Sequence, residues 1–151
     1  MHYMKGDLYS DSEFCKYDYI GFTANSTLTK DDRLVMGAGN AKVVRDKFKG
    51  IDKRLGSIIK ESKHPEDPEV FLIVKDKETN IFALQTKVNW KDKSPVGLVE
   101  YSLRYLKRLA ESKPNRLFAV PYPAVNHGGL TKDILKEYIE ELPDNVYIYE
   151  L

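Results

Sequence analysis

The sequence predicts an α/β protein, a three-layer αβα sandwich with a mixed central sheet. Three observations predict it. Short runs rich in β-branched and aromatic residues alternate with longer segments whose apolar residues recur every three or four positions, and such interleaving calls for a sheet covered by helices on both faces. One pair of strand-like runs is joined by a short polar turn, which favours an antiparallel pair inside the sheet. The length of 151 residues and a hydrophobic share of 42% suit a single domain spanning residues 1–151, with a core of its own.

The elements follow in order along the chain. Residues 2–8 read as a first strand ending at Gly6 and Asp7, and residues 17–23 as a second. Residues 24–36 are polar and suit a loop. After Gly37-Ala38-Gly39 a helix is expected, with Asn40 as its cap and Val44 and Phe48 four apart. Gly50 breaks it, and Ile51, Leu55, Ile58 and Ile59 give the next helix an apolar stripe. Residues 64–68 form a loop with two prolines. Residues 70–75 and 81–86 are neighbouring strands around a turn at residues 76–80. Residues 89–93 are a polar loop holding Trp90. Ser94 and Pro95 signal a helix start, a capping hydroxyl and then proline in the first turn, followed by Val99, Leu103, Leu106 and Ala110. Residues 117–120 are a short buried strand. Thr131 caps a helix with the apolar face Ile134, Leu135, Tyr138, Ile139 and Leu142, and residues 146–149 close the chain as a strand. The order is β-β-α-α-β-β-α-β-α-β, with no internal repeat.

Composition excludes several function classes. The net charge of +1, from 24 basic and 23 acidic residues, gives no strong nucleic-acid signal. The single cysteine, Cys15, cannot form an internal disulfide, and beside Phe14 it is expected to be buried and inert. His2, His64 and His127 are dispersed without zinc-site spacing, so neither a metal nor a cofactor is expected. Residues 1–10 lack the apolar core of a signal peptide, and no apolar run approaches a membrane span. The expectation is a cytoplasmic protein with no membrane partner.

Chemistry concentrates in two glycine loops, each placed before a helix. A helix N-terminus offers unpaired N–H groups and a partial positive charge, and glycines let an anionic ligand approach the backbone. The first loop is Gly37-Ala38-Gly39. No Gly-Lys-Ser/Thr follows, so it is not a Walker A loop, and Lys42 replaces the third glycine of a dinucleotide fingerprint. The second is Asn126-His127-Gly128-Gly129. Either loop alone also reads as a plain turn; two at strand ends of one sheet suit a diphosphate. Lys87, ending an apolar strand, reads either as a surface lysine or as a charge aimed into a cleft. His127 reads either as a solvated loop residue or as a general acid or base. The ten tyrosines are scattered, and most suit core or interface positions; the charged clusters at residues 30–33 and 91–93 suit solvated loops.

The motifs, in order, resemble the macro domain family. Met4-Lys5-Gly6-Asp7-Leu8 is similar to that family's opening strand, and Ala24-Asn25-Ser26-Thr27-Leu28 to its segment after the second strand. Met36-Gly37-Ala38-Gly39-Asn40-Ala41 resembles its first phosphate loop, in the form found in the terminal ADP-ribose protein glycohydrolase and ADP-ribose 1″-phosphate phosphatase branch. Pro123-Ala124-Val125-Asn126-His127-Gly128-Gly129-Leu130 is similar to its second phosphate loop, and residues 146–151 fit its closing strand. The resemblance covers nearly the whole chain.

The resemblance implies a macro domain that binds ADP-ribose or a derivative. Asp7, with Leu8 beside it, would take the adenine amino group, and Asn25 would sit near the distal ribose. Gly37, Ala38, Gly39 and Asn40 would hold one side of the diphosphate, and Asn126, Gly128, Gly129 and Leu130 the other. Lys87, in Gln85-Thr86-Lys87, matches the branch's lysine nucleophile, and His127 is a second catalytic candidate. Two departures stand out. The branch's acidic residue after the second loop is replaced by Leu130 or Thr131, with Asp133 the nearest carboxylate, and Leu130 also replaces an aromatic that stacks on the distal ribose. Three readings stay open: hydrolysis at the distal ribose, of an ADP-ribosyl linkage to a protein or nucleobase or of ADP-ribose 1″-phosphate; non-catalytic binding as a reader or sponge; and an RNA- or protein-binding domain that keeps only the fold, against whose RNA form the near-neutral charge speaks. The missing acid favours the second. The lone domain, with nothing attached for a reader to recruit, favours the first.

Overall fold

In a computed structural model, which describes residues 1–63, 65–125 and 128–150, six strands form one sheet. They are β1 (His2–Lys5), β2 (Tyr19–Ala24), β3 (Ile73–Lys75), β4 (Ile81–Gln85), β5 (Phe118–Pro121) and β6 (Val146–Glu150). The helices are α1 (Asp11–Phe14), α2 (Gly39–Lys47), α3 (Ile51–Ser62), α4 (Val96–Ser112) and α5 (Lys132–Glu140). The strand order is β1-β6-β5-β2-β4-β3; all neighbours are parallel except β3 and β4, whose antiparallel register sets Ile73 opposite Leu84 and Lys75 opposite Phe82. The mixed sheet and the short hairpin match the reading of the sequence.

Side-chain alternation along the strands creates the three layers. In β4, Ile81 and Ala83 face one core while Phe82 and Leu84 face the other. The first core takes Ala41 and Val44 of α2 with Ile51, Leu55 and Ile59 of α3. The second takes Val99, Leu103, Leu106 and Ala110 of α4 with Leu135 and Ile139 of α5. All five residues of β4 are buried, as expected for a strand covered on both faces.

Several expectations are corrected. The chain leaves β1 at Lys5, because Gly6 adopts φ 126°. The short helix α1 has no counterpart in the sequence pattern, because four residues are too few to carry a helical period. Cys15 is exposed, its thiol 3.5 Å from the Ser12 carbonyl, because α1 turns its C-terminus to solvent. Asn40 lies inside the first turn of α2, whose N-cap position is Ala38. Helix α4 begins at Val96 with Pro95 in the cap position, and the Ser94 hydroxyl is buried without a hydrogen-bond partner instead of capping. Thr131 holds the cap position of α5, yet its side chain makes no capping bond.

The hairpin turn is fastened by charge. Asp76 is buried in the turn and accepts from Arg54 Nε at 3.0 Å, Arg54 Nη2 at 3.1 Å and the Thr79 hydroxyl at 2.7 Å. Burial pushes the Asp76 carboxyl up, but the bonds from Arg54 and Thr79 outweigh it and hold the carboxyl below its ordinary value. A lowered folded-state value means that the stabilisation is complete above the unfolded carboxylate range and is lost as pH falls through the folded value. Asp76→Ala should therefore cost about 1.5–3 kcal/mol at neutral pH. Urea unfolding at pH 7 and pH 3 checks this: the gap between variant and parent should narrow at the lower pH.

Candidate functional site

The carboxyl ends of β1, β2, β4, β5 and β6 all open into one cleft of about 1180 Å³. Parallel strands bring their C-terminal loops to the same edge of the sheet, where ligands of open α/β sheets bind.

At the β1 end, Asp7 is exposed on the cleft and fixed by its neighbours. Its Oδ1 accepts from the Tyr9 N–H at 2.9 Å, and its carbonyl accepts from the Ser10 hydroxyl at 2.8 Å. Tyr9 in turn is tied down: its hydroxyl donates to the Gly21 carbonyl at 2.9 Å, and Lys47 Nζ donates to its carbonyl at 2.7 Å. Leu8 is buried and forms part of the floor.

At the β2 end, the Asn25 amide closes the following loop. Nδ2 donates to the Val35 carbonyl at 3.1 Å and Oδ1 accepts from the Thr27 N–H at 3.0 Å. One amide hydrogen and one lone pair remain by valence. Gly37, Ala38 and Gly39 form an exposed lip at the start of α2. Gly39 has φ 59°, the left-handed region that a β-branched residue resists. The first helical bond runs from the Lys42 N–H to the Ala38 carbonyl, so the amides before it have no intrahelical partner. Asn40 explains why the lip stays put: its Oδ1 accepts from the Thr23 N–H at 2.8 Å and its Nδ2 donates to the Thr23 hydroxyl at 2.9 Å, which bolts α2 to β2.

At the β4 end, Thr86 and Lys87 line the cleft, and both backbone N–H groups point to the Ala24 carbonyl, at 2.8 and 3.2 Å. Trp90, 53% exposed, and Lys91 continue the wall. At the β5 end Pro121 lines the cleft, followed by Tyr122, Ala124, Val125 and Gly128. Gly128 is wedged: a Cβ there would lie 2.5 Å from both the Ala124 carbonyl oxygen and the Ser94 hydroxyl. At the β6 end, Tyr149 and Glu150 line the cleft, with Lys132 ion-paired to Glu150. Burial, with the nearby Tyr3 and Glu150 adding to it, pushes the Tyr122 hydroxyl up to about 12, so it stays protonated at neutral pH; it donates to the Lys132 carbonyl at 2.9 Å.

No family model matches the chain, and neither does any curated protein. Solved structures do. The macrodomain of Thermus aquaticus DarG matches with a TM-score of 0.74 at 21% identity, over 99% of this chain and 97% of its own. The macrodomain of Mycobacterium tuberculosis DarG matches with a TM-score of 0.71 at 22% identity, over 99% and 97%. The chain has the macrodomain fold. Thermosipho africanus DarTG in complex with ADP-ribose matches at TM-score 0.70 and 21% identity; 98% of this chain is covered, and it spans 41% of that longer chain.

Within this macrodomain fold, Asp7, Leu8, Asn25, Gly37, Ala38, Gly39, Asn40, Lys87 and Gly128 all line the one cleft. Gly129 and Leu130 are not among its lining residues; Leu130 packs against the second core. Asn126 and His127 lie outside the described residues. Sequence reasoning missed Val43, Trp90, Lys91, Lys132, Tyr149 and Glu150, which also line the cleft. Trp90 carried a usable signal, a large aromatic isolated in a polar loop; the others did not. Among the described residues no group of three metal-binding side chains occurs, and no helix is long and apolar enough to cross a membrane.

Proposed function

We propose that this cleft binds ADP-ribose or a derivative and that the chain hydrolyses a bond at the distal ribose. One observation carries the reading. Across the sheet the strand order β1-β6-β5-β2-β4 sets out, in turn, Asp7, the loop holding Gly128, the Gly37-Ala38-Gly39 lip and Lys87. That is the order of the ligand: an adenine amino group for the carboxylate, a diphosphate for the two glycine loops, and a distal ribose for the lysine. Four strand spacings of about 4.8 Å separate the two ends, so the site suits an extended dinucleotide-sized ligand. The ADP-ribose in the Thermosipho africanus neighbour supports the same class of ligand.

Two roles for Lys87 are compatible with hydrolysis. As a neutral amine its lone pair adds to the anomeric carbon while the bond to the leaving group breaks, the leaving group taking that electron pair and a proton. Ring opening gives a Schiff base, and water releases ADP-ribose and the free lysine. As a cation, Lys87 stabilises the departing group or a phosphate while water attacks. Resemblance to the glycohydrolase and phosphatase branch rests on Lys87 and the first loop. The alternative of binding without catalysis is favoured by Asp133, which falls in the first turn of α5, away from the cleft lining. The deciding experiment incubates the protein with ADP-ribose 1″-phosphate and with ADP-ribosylated Glu, Arg and thymidine, and identifies products by mass spectrometry. Release of ADP-ribose from any of them supports hydrolysis, and binding without products leaves the reader or sponge.

Calorimetry should give micromolar affinity for ADP-ribose, about −8 kcal/mol, with AMP much weaker. Gly39→Val should cost that affinity in a protein that still folds, since valine at φ 59° both strains the lip and fills the approach to its amides. Equal affinity for AMP and ADP-ribose, or unchanged binding by a folded Gly39→Val, would contradict the diphosphate reading.

A further inference from the structure

We propose that Gln85 is a positioning residue for Lys87, its buried side-chain amide fixing the backbone from which the lysine reaches the cleft. This rests on the reading of Lys87 as the group that works at the distal ribose. Gln85 ends β4 and is fully buried. A polar side chain in that place needs every hydrogen-bonding capacity filled, and here all four are. Oε1 accepts from the Phe71 N–H at 2.8 Å and the Leu72 N–H at 3.1 Å. Nε2 donates to the Glu69 carbonyl at 2.8 Å and to the Lys87 carbonyl at 3.0 Å. The partners fix which end is which, because carbonyls only accept and N–H groups only donate.

The amide therefore acts as a strut between residues 69–72 and the chain just past the sheet. The strut is braced, since the Ser102 hydroxyl on α4 donates to the Gln85 carbonyl at 2.7 Å and the Gln85 N–H donates to the Leu72 carbonyl at 2.8 Å. The other side of Lys87 is held as firmly. Its N–H points to the Ala24 carbonyl, and the next carbonyl, that of Val88, accepts from the Ser26 N–H, the Ser26 hydroxyl and the Thr27 hydroxyl at 3.0, 3.2 and 3.0 Å. A strand end needs none of this to stay paired. What the bonds have in common is that they leave residue 87 one place to be, and catalytic groups lose rate steeply when displaced by about 1 Å.

The test uses two variants of the full chain, alongside Lys87→Ala. Gln85→Glu keeps an acceptor for Phe71 and Leu72 but leaves at most one proton to share between the Glu69 and Lys87 carbonyls, so at least one of them loses its bond; Gln85→Met removes all four bonds at similar volume. On whichever ADP-ribosyl substrate the parent turns over, kcat should fall about tenfold to a hundredfold in both. KM and the Kd for ADP-ribose should stay within about twofold, because the diphosphate loops are untouched. Parent-like kcat in Gln85→Met, together with a dead Lys87→Ala, overturns the positioning role. So does loss of affinity in step with kcat, or failure of both variants to fold, since either makes Gln85 a purely structural residue. Full turnover by Lys87→Ala, or none by the parent, marks failure of the underlying reading of Lys87, and the positioning role falls with it.

Discussion

Turnover of an ADP-ribosyl substrate should fall on the order of 10²–10³-fold in Lys87→Ala, the loss typical of removing one group that acts mainly in the transition state. ADP-ribose affinity should change far less, because the diphosphate is proposed to be held by backbone groups of the two glycine loops and not by Lys87. The two chemical roles then separate. A nucleophilic lysine leaves an adduct that borohydride reduction makes permanent, and peptide mapping places it on residue 87. An electrostatic lysine leaves no adduct, and Lys87→Arg restores part of the rate because the charge returns. Full activity of Lys87→Ala on every substrate would exclude both roles and turn attention to His127.

The parts of the fold legible in the sequence were those set by local pattern. Ile51, Leu55 and Ile59 lie on one face of α3 because the helical period puts them there. Gly37 to Gly39 announced the start of α2 through the backbone freedom such a junction needs. What stayed hidden depends on distant partners. Nothing local says that β1 pairs with β6, 144 residues away in the His2 to Val146 sense, or that Asn40 spends its amide on Thr23 and not on its own helix end. The same reason governs the site. Asp7 and Asn25 stand out only through the family resemblance and Lys87 through its place at a strand end; all three line the cleft because parallel strands bring their C-terminal loops to one edge. Gln85 sits two residues from Lys87 and reads locally as part of a strand, since three of the four groups that satisfy it, from Glu69 to Leu72, come from another segment. A glutamine in the apolar run of β4 was itself the clue, because burying an amide there demands an explanation.

Gly128→Ala should damage both the fold and the site. An added Cβ meets the Ala124 carbonyl oxygen and the Ser94 hydroxyl at 2.5 Å and the Ala124 Cα at 2.6 Å, well inside van der Waals contact. Little there is free to yield. The Ala124 carbonyl accepts from the Leu130 N–H at 2.9 Å, and Ser94 donates its N–H to the Gly128 carbonyl at 2.9 Å. Ala124 already sits at φ 64°, a conformation that costs a non-glycine residue about 1–3 kcal/mol and persists only where the surroundings impose it. The loop after β5 must therefore shift away from the residues that lead into α4. That destabilises the protein by about 1–3 kcal/mol, as overpacking usually does. The same shift moves the loop proposed to hold one side of the diphosphate, so ADP-ribose affinity should fall about tenfold or more, which is about 1.4 kcal/mol. Gly97→Ala is the control: Gly97 lies in α4, an added Cβ meets nothing within 4 Å, and alanine should raise stability by about 0.5–1 kcal/mol through helix propensity. Thermal unfolding and calorimetry on both variants decide the matter. A Gly128→Ala protein with the parent's melting temperature and affinity would mean that the loop after β5 tolerates displacement and takes no part in gripping the ligand.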